Sequence, residues 1–142
     1  LEIPFHIFNF QQNFSDKVIG NFISCYEGGK IPNPCIECNN YLKFGAMLDK
    51  ALELGCQYVA TGHYAQIRQN PDTGRYCMYK AADRAKDQTY FLYGLSQFQL
   101  EHTLFPLGDL TKGEAREIAE AQGFIVISPD YMSSPHIIPY HL

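Results

Sequence analysis

The chain has 142 residues, 46% of them hydrophobic and 18% charged, the balance of a folded domain and too apolar for a disordered tail. Eleven Lys and Arg against fifteen Asp and Glu give a formal charge of −4, which speaks against a strongly basic nucleic-acid module. No apolar run approaches the ~18 residues that a membrane-spanning helix needs, and no collagen, heptad or solenoid period is present.

The opening Leu1-Glu2-Ile3-Pro4-Phe5-His6-Ile7-Phe8 reads as the approach to a strand over Ile3–Phe8, so the sequence is expected to be a piece of something longer. A polar turn at 9–13 follows. Phe14, Val18, Ile19, Phe22, Ile23 and Tyr26 then keep the i, i+4 stripe of an amphipathic helix, with Ser15 as its N-cap and Gly28-Gly29 as its stop. Two glycines and two prolines make 28–38 a restricted loop. A second helix is predicted from about Asn39 to Leu54, with Phe44, Met47, Leu48, Ala51 and Leu52 on one face and Gly55 ending it. Residues 57–61 read as a short buried strand and Gly62-His63-Tyr64 as the turn at its carboxyl end. Strands over 65–68 and 76–79 flank Asn70-Pro71-Asp72-Thr73-Gly74, strong hairpin chemistry. A polar stretch at 81–88 leads into the aromatic run Thr89-Tyr90-Phe91-Leu92-Tyr93. Thr111 and Glu114 form a capping box for a helix ending near Gly123, and 128–142 shows no period. This order predicts an α/β fold.

Five cysteines without a signal peptide argue against a secreted disulfide framework and for a reducing cytoplasm. Cys25, Cys56 and Cys77 read as small buried apolar residues. Cys35 and Cys38 form a C-x-x-C, but no second pair supplies the further ligands a structural zinc needs.

Three stretches carry chemistry. In Pro32-Asn33-Pro34-Cys35-Ile36-Glu37-Cys38-Asn39 two prolines stiffen a loop that delivers Cys38 to the start of a helix, where the dipole and free N–H groups favour a thiolate nucleophile. The alternative is a tight loop whose cysteines merely pack. Gly62, beyond a strand's carboxyl end, lets a ligand approach the backbone. His63 is either a general base or ligand group, or a histidine satisfied by local hydrogen bonds. Lys86-Asp87-Gln88-Thr89-Tyr90-Phe91 either meets phosphate and bases or is a solvated turn before a core-facing aromatic run.

Taken in order, Gly28-Gly29-Lys30-Ile31-Pro32-Asn33-Pro34-Cys35-Ile36-Glu37-Cys38-Asn39, Leu42-Lys43-Phe44-Gly45, Ala60-Thr61-Gly62-His63-Tyr64, Lys86-Asp87-Gln88-Thr89-Tyr90-Phe91-Leu92-Tyr93 and Phe105-Pro106-Leu107-Gly108 resemble the central part of tRNA-specific 2-thiouridylases, of the PP-loop ATP pyrophosphatase superfamily. Leu110-x-Lys112-x-Glu114-x-Arg116-x-Ile118-Ala119 continues the likeness, which covers roughly residues 1–124. The resemblance implies an incomplete Rossmann-like (adenine nucleotide alpha hydrolase-like) parallel sheet with an inserted hairpin. It implies an enzyme that uses ATP with Mg2+ to adenylate the C2 oxygen of the wobble uridine of tRNA, then replaces that oxygen with sulfur from a persulfide donor protein. By position it implies Cys38 as the nucleophile, Asn33, Pro34 and Cys35 as the segment meeting the target base, Gly62 as an ATP contact, and Lys86, Asp87 and Gln88 as tRNA contacts.

The departures are informative too. The family's Ser-Gly-Gly-Val-Asp-Ser type phosphate loop does not occur in this sequence. Where the family carries its persulfide cysteine, the chain reads Ser128-Pro129-Asp130-Tyr131-Met132-Ser133-Ser134-Pro135. On this reading 1–80 is the back part of a nucleotide-binding domain, 81–124 a helical tRNA-contacting region and 125–142 an irregular, aberrant tail, and the chain alone is expected to be inactive. The competing reading is a stand-alone redox or metal-binding module built on the Cys35/Cys38 pair, which a disulfide would close.

Overall fold

The computed structural model describes residues 3–125; the tail expected beyond residue 125 lies outside them. Ile3–Phe8 does not form the predicted strand. Residues 3–10 have no regular structure, and Ile3, Phe5 and Ile7 stand exposed. A strand needs a neighbour to take its N–H and C=O groups, and among the described residues no strand lies beside this segment.

The first helix runs through Gln11–Phe14, a π-wound stretch Ser15–Ile19, and Gly20–Glu27. It begins before Ser15 because Asn9 Oδ1 accepts the Gln11 N–H at 2.9 Å, which leaves Ser15 in the interior. The predicted stop holds. Gly29 has φ +70, and Lys30 N–H reaches back to the Cys25 carbonyl at 2.9 Å, as a left-handed C-terminal cap requires. Of the predicted apolar stripe, Val18 is buried, while Phe14, Ile19, Phe22, Ile23 and Tyr26 are exposed.

The second helix comprises Pro34–Glu37, a π-wound Cys38–Ala46, and Met47–Glu53. It bends at Gly45 (φ −104, ψ −105). The bend frees the Phe44 carbonyl, which accepts a hydrogen bond from Gln99 Nε2 at 2.7 Å, so the kink leaves no orphan acceptor there. Gly55 (φ +82) ends the helix as predicted. Cys56, just beyond that turn, is exposed rather than buried.

Strand β1 (Val59–Ala60) pairs in parallel with β4 (Thr103–Leu104), a strand the sequence pattern did not announce. Between them β2 (Ala65–Gln69) and β3 (Tyr76–Lys80) form the predicted antiparallel hairpin, with Ala65 opposite Lys80 and Gln69 opposite Tyr76. Its turn is held by Asn70 Oδ1, which accepts from Asp72 N–H at 2.9 Å and Thr73 N–H at 3.0 Å, and Gly74 supplies the left-handed φ of +67. A 3₁₀ turn at Thr89–Phe91 and a short helix at Gln97–Glu101, capped by a Ser96/Gln99 box, precede β4. The last described helix, Lys112–Ala121, opens on the predicted Thr111/Glu114 box and closes at Gly123 (φ +81).

The core gathers Phe44, Ala65, Leu92, Leu95 and Leu100, with Ile67, Tyr76, Met78 and Phe105 packed against it. Burying side chains of this size stabilises by about 1.5–3 kcal/mol each. Gly108 lets two segments meet: a Cβ there would stand 2.0 Å from the Ala65 carbonyl oxygen. The described residues are thus α/β, and among them no helix is long and apolar enough to cross a membrane.

Candidate active site

The cysteine helix begins earlier than the sequence suggested, at Pro34 and not Asn39. Asn33 is extended (φ −119, ψ 92), and its Oδ1 accepts the Cys35 N–H at 3.2 Å. Pro34 takes the first helical position, where its fixed φ suits the helix and its missing N–H costs nothing. The stiff loop therefore ends at Asn33. Cys35 lies in the first turn, exposed, and Cys38 lies one turn further, half-buried. Three residues apart on a helix, the two share one side of it.

The next residue anchors that turn. Asn39 is buried, and its Nδ2 donates to the Phe91 carbonyl at 3.0 Å. Asn40 packs so closely on Gly94 that a Cβ at Gly94 would sit 2.7 Å from its Nδ2. The aromatic run is thereby pinned to the cysteine helix immediately after Cys38. One turn on, the Phe44 ring meets His63 and Phe105, with centroids 5.9 Å apart in each case.

His63 follows the carboxyl end of β1. Its Nδ1 lies 2.7 Å from Thr61 Oγ1, and its ring forms a triangle with those of Phe44 and Phe105. Burial, with the Lys43 charge as a smaller second cause, lowers its pKa to about 4, so the imidazole is neutral at pH 7. Of the two roles open to it, this geometry is that of the locally satisfied histidine. Gly62 beside it is exposed. A Cβ there would meet only Leu107 Cδ1, at 3.7 Å, so the backbone at this strand end stands open to an approaching ligand.

Lys86, Asp87 and Gln88 part company. Lys86 is exposed. Asp87 turns inward: Oδ1 accepts the Ala81 N–H at 2.8 Å and Oδ2 the Thr89 hydroxyl at 2.7 Å. Gln88 binds Tyr64 in both directions, its Oε1 accepting the Tyr64 N–H at 3.0 Å and its own N–H donating to the Tyr64 carbonyl at 2.9 Å. Among the described residues the motifs thus form one connected body, from Asn33 through Asn39 to Phe91, and from Phe44 through His63 and Tyr64 to Gln88.

Sequence reasoning missed Asn39, Asn40, Gly94 and Gln99. One signal was available. Paired asparagines are poor helix formers, so their place inside an amphipathic pattern marks side chains with hydrogen bonds to make elsewhere. Among the described residues no three His, Cys, Asp or Glu side chains gather as a metal site.

Comparison with known proteins agrees with this architecture. A relative from Clostridioides difficile (strain 630), the tRNA-specific 2-thiouridylase MnmA, is 53% identical over 124 residues, which cover 87% of this chain and 34% of the relative. Proteins of the same name from Pelotomaculum thermopropionicum and Leptospira biflexa are 50% and 48% identical over 126 residues, each covering 89% of this chain and 34% and 33% of the relative. The chain spans about a third of the length of these curated relatives. The family model described as the tRNA methyl transferase HUP domain, a Rossmann-like α/β fold of the adenine nucleotide alpha hydrolase type, matches residues 1–134. The chain belongs to that family.

Proposed function

We propose that this chain provides the central, cysteine-bearing part of an ATP-dependent sulfurtransferase that converts the wobble uridine of tRNA to 2-thiouridine. The family description speaks of methyl transfer, whereas the relatives are named for thiolation. The cysteine helix favours the second chemistry, because a soft sulfur nucleophile is what displaces an activated oxygen at C2. The observation that carries the reading is the placement of Cys38. It sits one turn into a helix whose start is fixed by Asn33 and Pro34, and Asn39 ties that turn to the 86–93 segment.

On this reading Asn33, Pro34 and Cys35 meet the target base with Cys38 beside it. The terminal sulfur of a persulfide displaces AMP from the adenylated C2. The Cys38 sulfur then attacks the donor's inner sulfur, which frees the thiocarbonyl and leaves a disulfide for an external thiol to reduce. The capped start and the Asn39 anchor hold the sulfur in one orientation, which lowers the entropic cost of attack. Gly62 leaves room for the nucleotide at the strand end. When bound, ATP with Mg2+ supplies the adenylyl group that makes the C2 oxygen a leaving group. Lys86 contacts tRNA phosphate, while Asp87 and Gln88 hold their segment in place for it. A persulfide protein donates the sulfur, and a reducing cytoplasm keeps the Cys38 thiol available.

The test is a chimera in which this chain replaces the matching segment of the Clostridioides difficile relative, assayed for 2-thiouridine on unmodified tRNA with ATP and a persulfide donor. The chimera thiolates, Cys38→Ser abolishes the product, and Cys35→Ser costs less. Equal losses for the two substitutions refute the choice of nucleophile, and a chimera that folds and binds tRNA but never thiolates refutes the assignment.

A further inference from the structure

As a sequence, the aromatic run 89–93 suits a core-facing stretch behind a solvated turn. The structure divides it. Leu92 is fully buried, but Tyr90 and Tyr93 are 67% and 72% exposed. Tyr90 lies in the 3₁₀ turn and Tyr93 just beyond it, and their ring centroids lie 6.5 Å apart at 40°. What sets this pair apart from the other exposed apolar side chains is that two aromatic rings stand together on one short segment.

Their mounting is stiff. Phe91 N–H donates to the Gln88 carbonyl at 3.0 Å, Leu92 N–H to the Thr89 carbonyl at 3.0 Å, and Leu95 N–H to the Leu92 carbonyl at 3.1 Å. Asn39 pins the Phe91 carbonyl to the cysteine helix. The rings are therefore presented beside the helix that carries Cys38.

The adjoining segment is formally neutral, with Asp83 and Asp87 matching Arg84 and Lys86, yet its charges are sorted by direction. Asp83 accepts from the Ala85 N–H at 3.1 Å and the Lys112 N–H at 3.0 Å, and Asp87 spends both oxygens on Ala81 and Thr89. The carboxylates face the backbone. Arg84 and Lys86 are exposed and, among the described residues, pair with no carboxylate. Exposed aromatic faces, with unpaired cations a few residues earlier in the chain, are the two components of a surface for single-stranded nucleic acid, stacking for the bases and positive charge for the phosphates.

We infer that Tyr90 and Tyr93, with Arg84 and Lys86 preceding them in the chain, form a stacking platform for unpaired RNA nucleotides next to the base that Cys38 addresses. The inference rests on the tRNA-modifying reading above and extends it from Lys86 to Arg84, Tyr90 and Tyr93, which lie outside the Lys86-Asp87-Gln88 triplet.

The experiment measures fluorescence anisotropy of the chimera described above with two labelled RNAs, a stem closed by an unpaired loop and a fully paired duplex of equal length. Tyr90→Ala with Tyr93→Ala weakens loop binding by about 10- to 100-fold and leaves duplex binding within about twofold. Tyr90→Phe with Tyr93→Phe keeps loop binding within about threefold, because a phenyl face still stacks. Arg84→Gln with Lys86→Gln weakens both RNAs and flattens the salt dependence. Urea midpoints equal to the parent's show that the variants are folded. An alanine pair that binds the loop like the parent overturns the platform, as does a phenylalanine pair as damaging as the alanine one. An alanine pair that leaves RNA affinity intact but abolishes self-association makes the patch a protein contact and equally overturns it. A chimera that thiolates tRNA alongside either result leaves the reaction standing and removes only the platform; a parent chimera that binds neither RNA removes the platform and the tRNA reading of this surface together.

Discussion

Asp87 separates two readings of the same residue. Its resemblance to a tRNA-contacting triplet implies a role toward RNA, whereas its oxygens are occupied at 2.8 Å by the Ala81 N–H and at 2.7 Å by the Thr89 hydroxyl. Ala81 is 1% exposed, so in Asp87→Ala its N–H is left dry and unpaired. That orphan costs about 1–3 kcal/mol, and loss of the charge-assisted bond to Thr89 adds about 1. The total is about 2–4 kcal/mol, or roughly 6–15 °C in melting temperature for a domain of this size. Asp87→Asn keeps an acceptor for Ala81 and can donate to the Thr89 oxygen, so its cost is about 1 kcal/mol. Thermal melts by circular dichroism at pH 7, paired with RNA titrations well below both melting points, decide the matter. The expected result is a large loss of stability in the alanine variant with RNA affinity preserved in the asparagine variant. An alanine variant that melts with the parent but no longer binds RNA would refute the positioning role and make Asp87 a direct contact.

The remaining predictions rest on other contacts. Gly108→Ala places a methyl 2.0 Å from the Ala65 carbonyl oxygen, so backbone must move; urea denaturation should show a loss of about 1–3 kcal/mol or more, and an unchanged midpoint refutes the close approach. Gly74→Ala puts a Cβ at φ +67 in the hairpin turn and should lower stability by about 1 kcal/mol by the same measurement. His63 has its pKa depressed to about 4 by burial, so between about pH 6.5 and pH 4 the unfolded chain binds a proton that the folded chain refuses. Stability from this site is therefore complete above about pH 6.5 and is lost as pH falls toward 4. Urea midpoints at pH 7, 5.5 and 4.5 should fall in that order, with a shallower fall in His63→Phe; equal slopes would place the acid sensitivity elsewhere.

What the sequence made legible was local chemistry. The Asn70–Gly74 turn, the Thr111/Glu114 box and the stops at Gly29, Gly55 and Gly123 each depend on a few neighbouring residues, and each is present. What it hid was tertiary. β1 and β4 are two residues each and lie more than forty positions apart, too short for a period to register. The helix start at Pro34 is obscured because proline suits a loop and a first helical position equally well. The predicted Ile3–Phe8 strand had the right composition, but composition cannot supply the neighbouring strand that a ladder needs. In the site, the motifs were visible one by one, and the contacts that join them were not.

Those contacts alter how the triplet at 86–88 is understood. Asp87 spends both carboxylate oxygens, and Gln88 its Oε1, on fastening their segment to Ala81, Thr89 and Tyr64. Tyr64 belongs to the same turn as Gly62 and His63, and His63 touches Phe44 of the cysteine helix. Loosening Gln88 should thus disturb the strand end and the Cys38 turn together, since Asn39 grips the same segment from the other side. A Gln88→Ala chimera that keeps its tRNA affinity while its thiolation rate falls would show that this residue sets geometry. One that loses affinity with its rate at saturating tRNA unchanged would return Gln88 to the RNA surface.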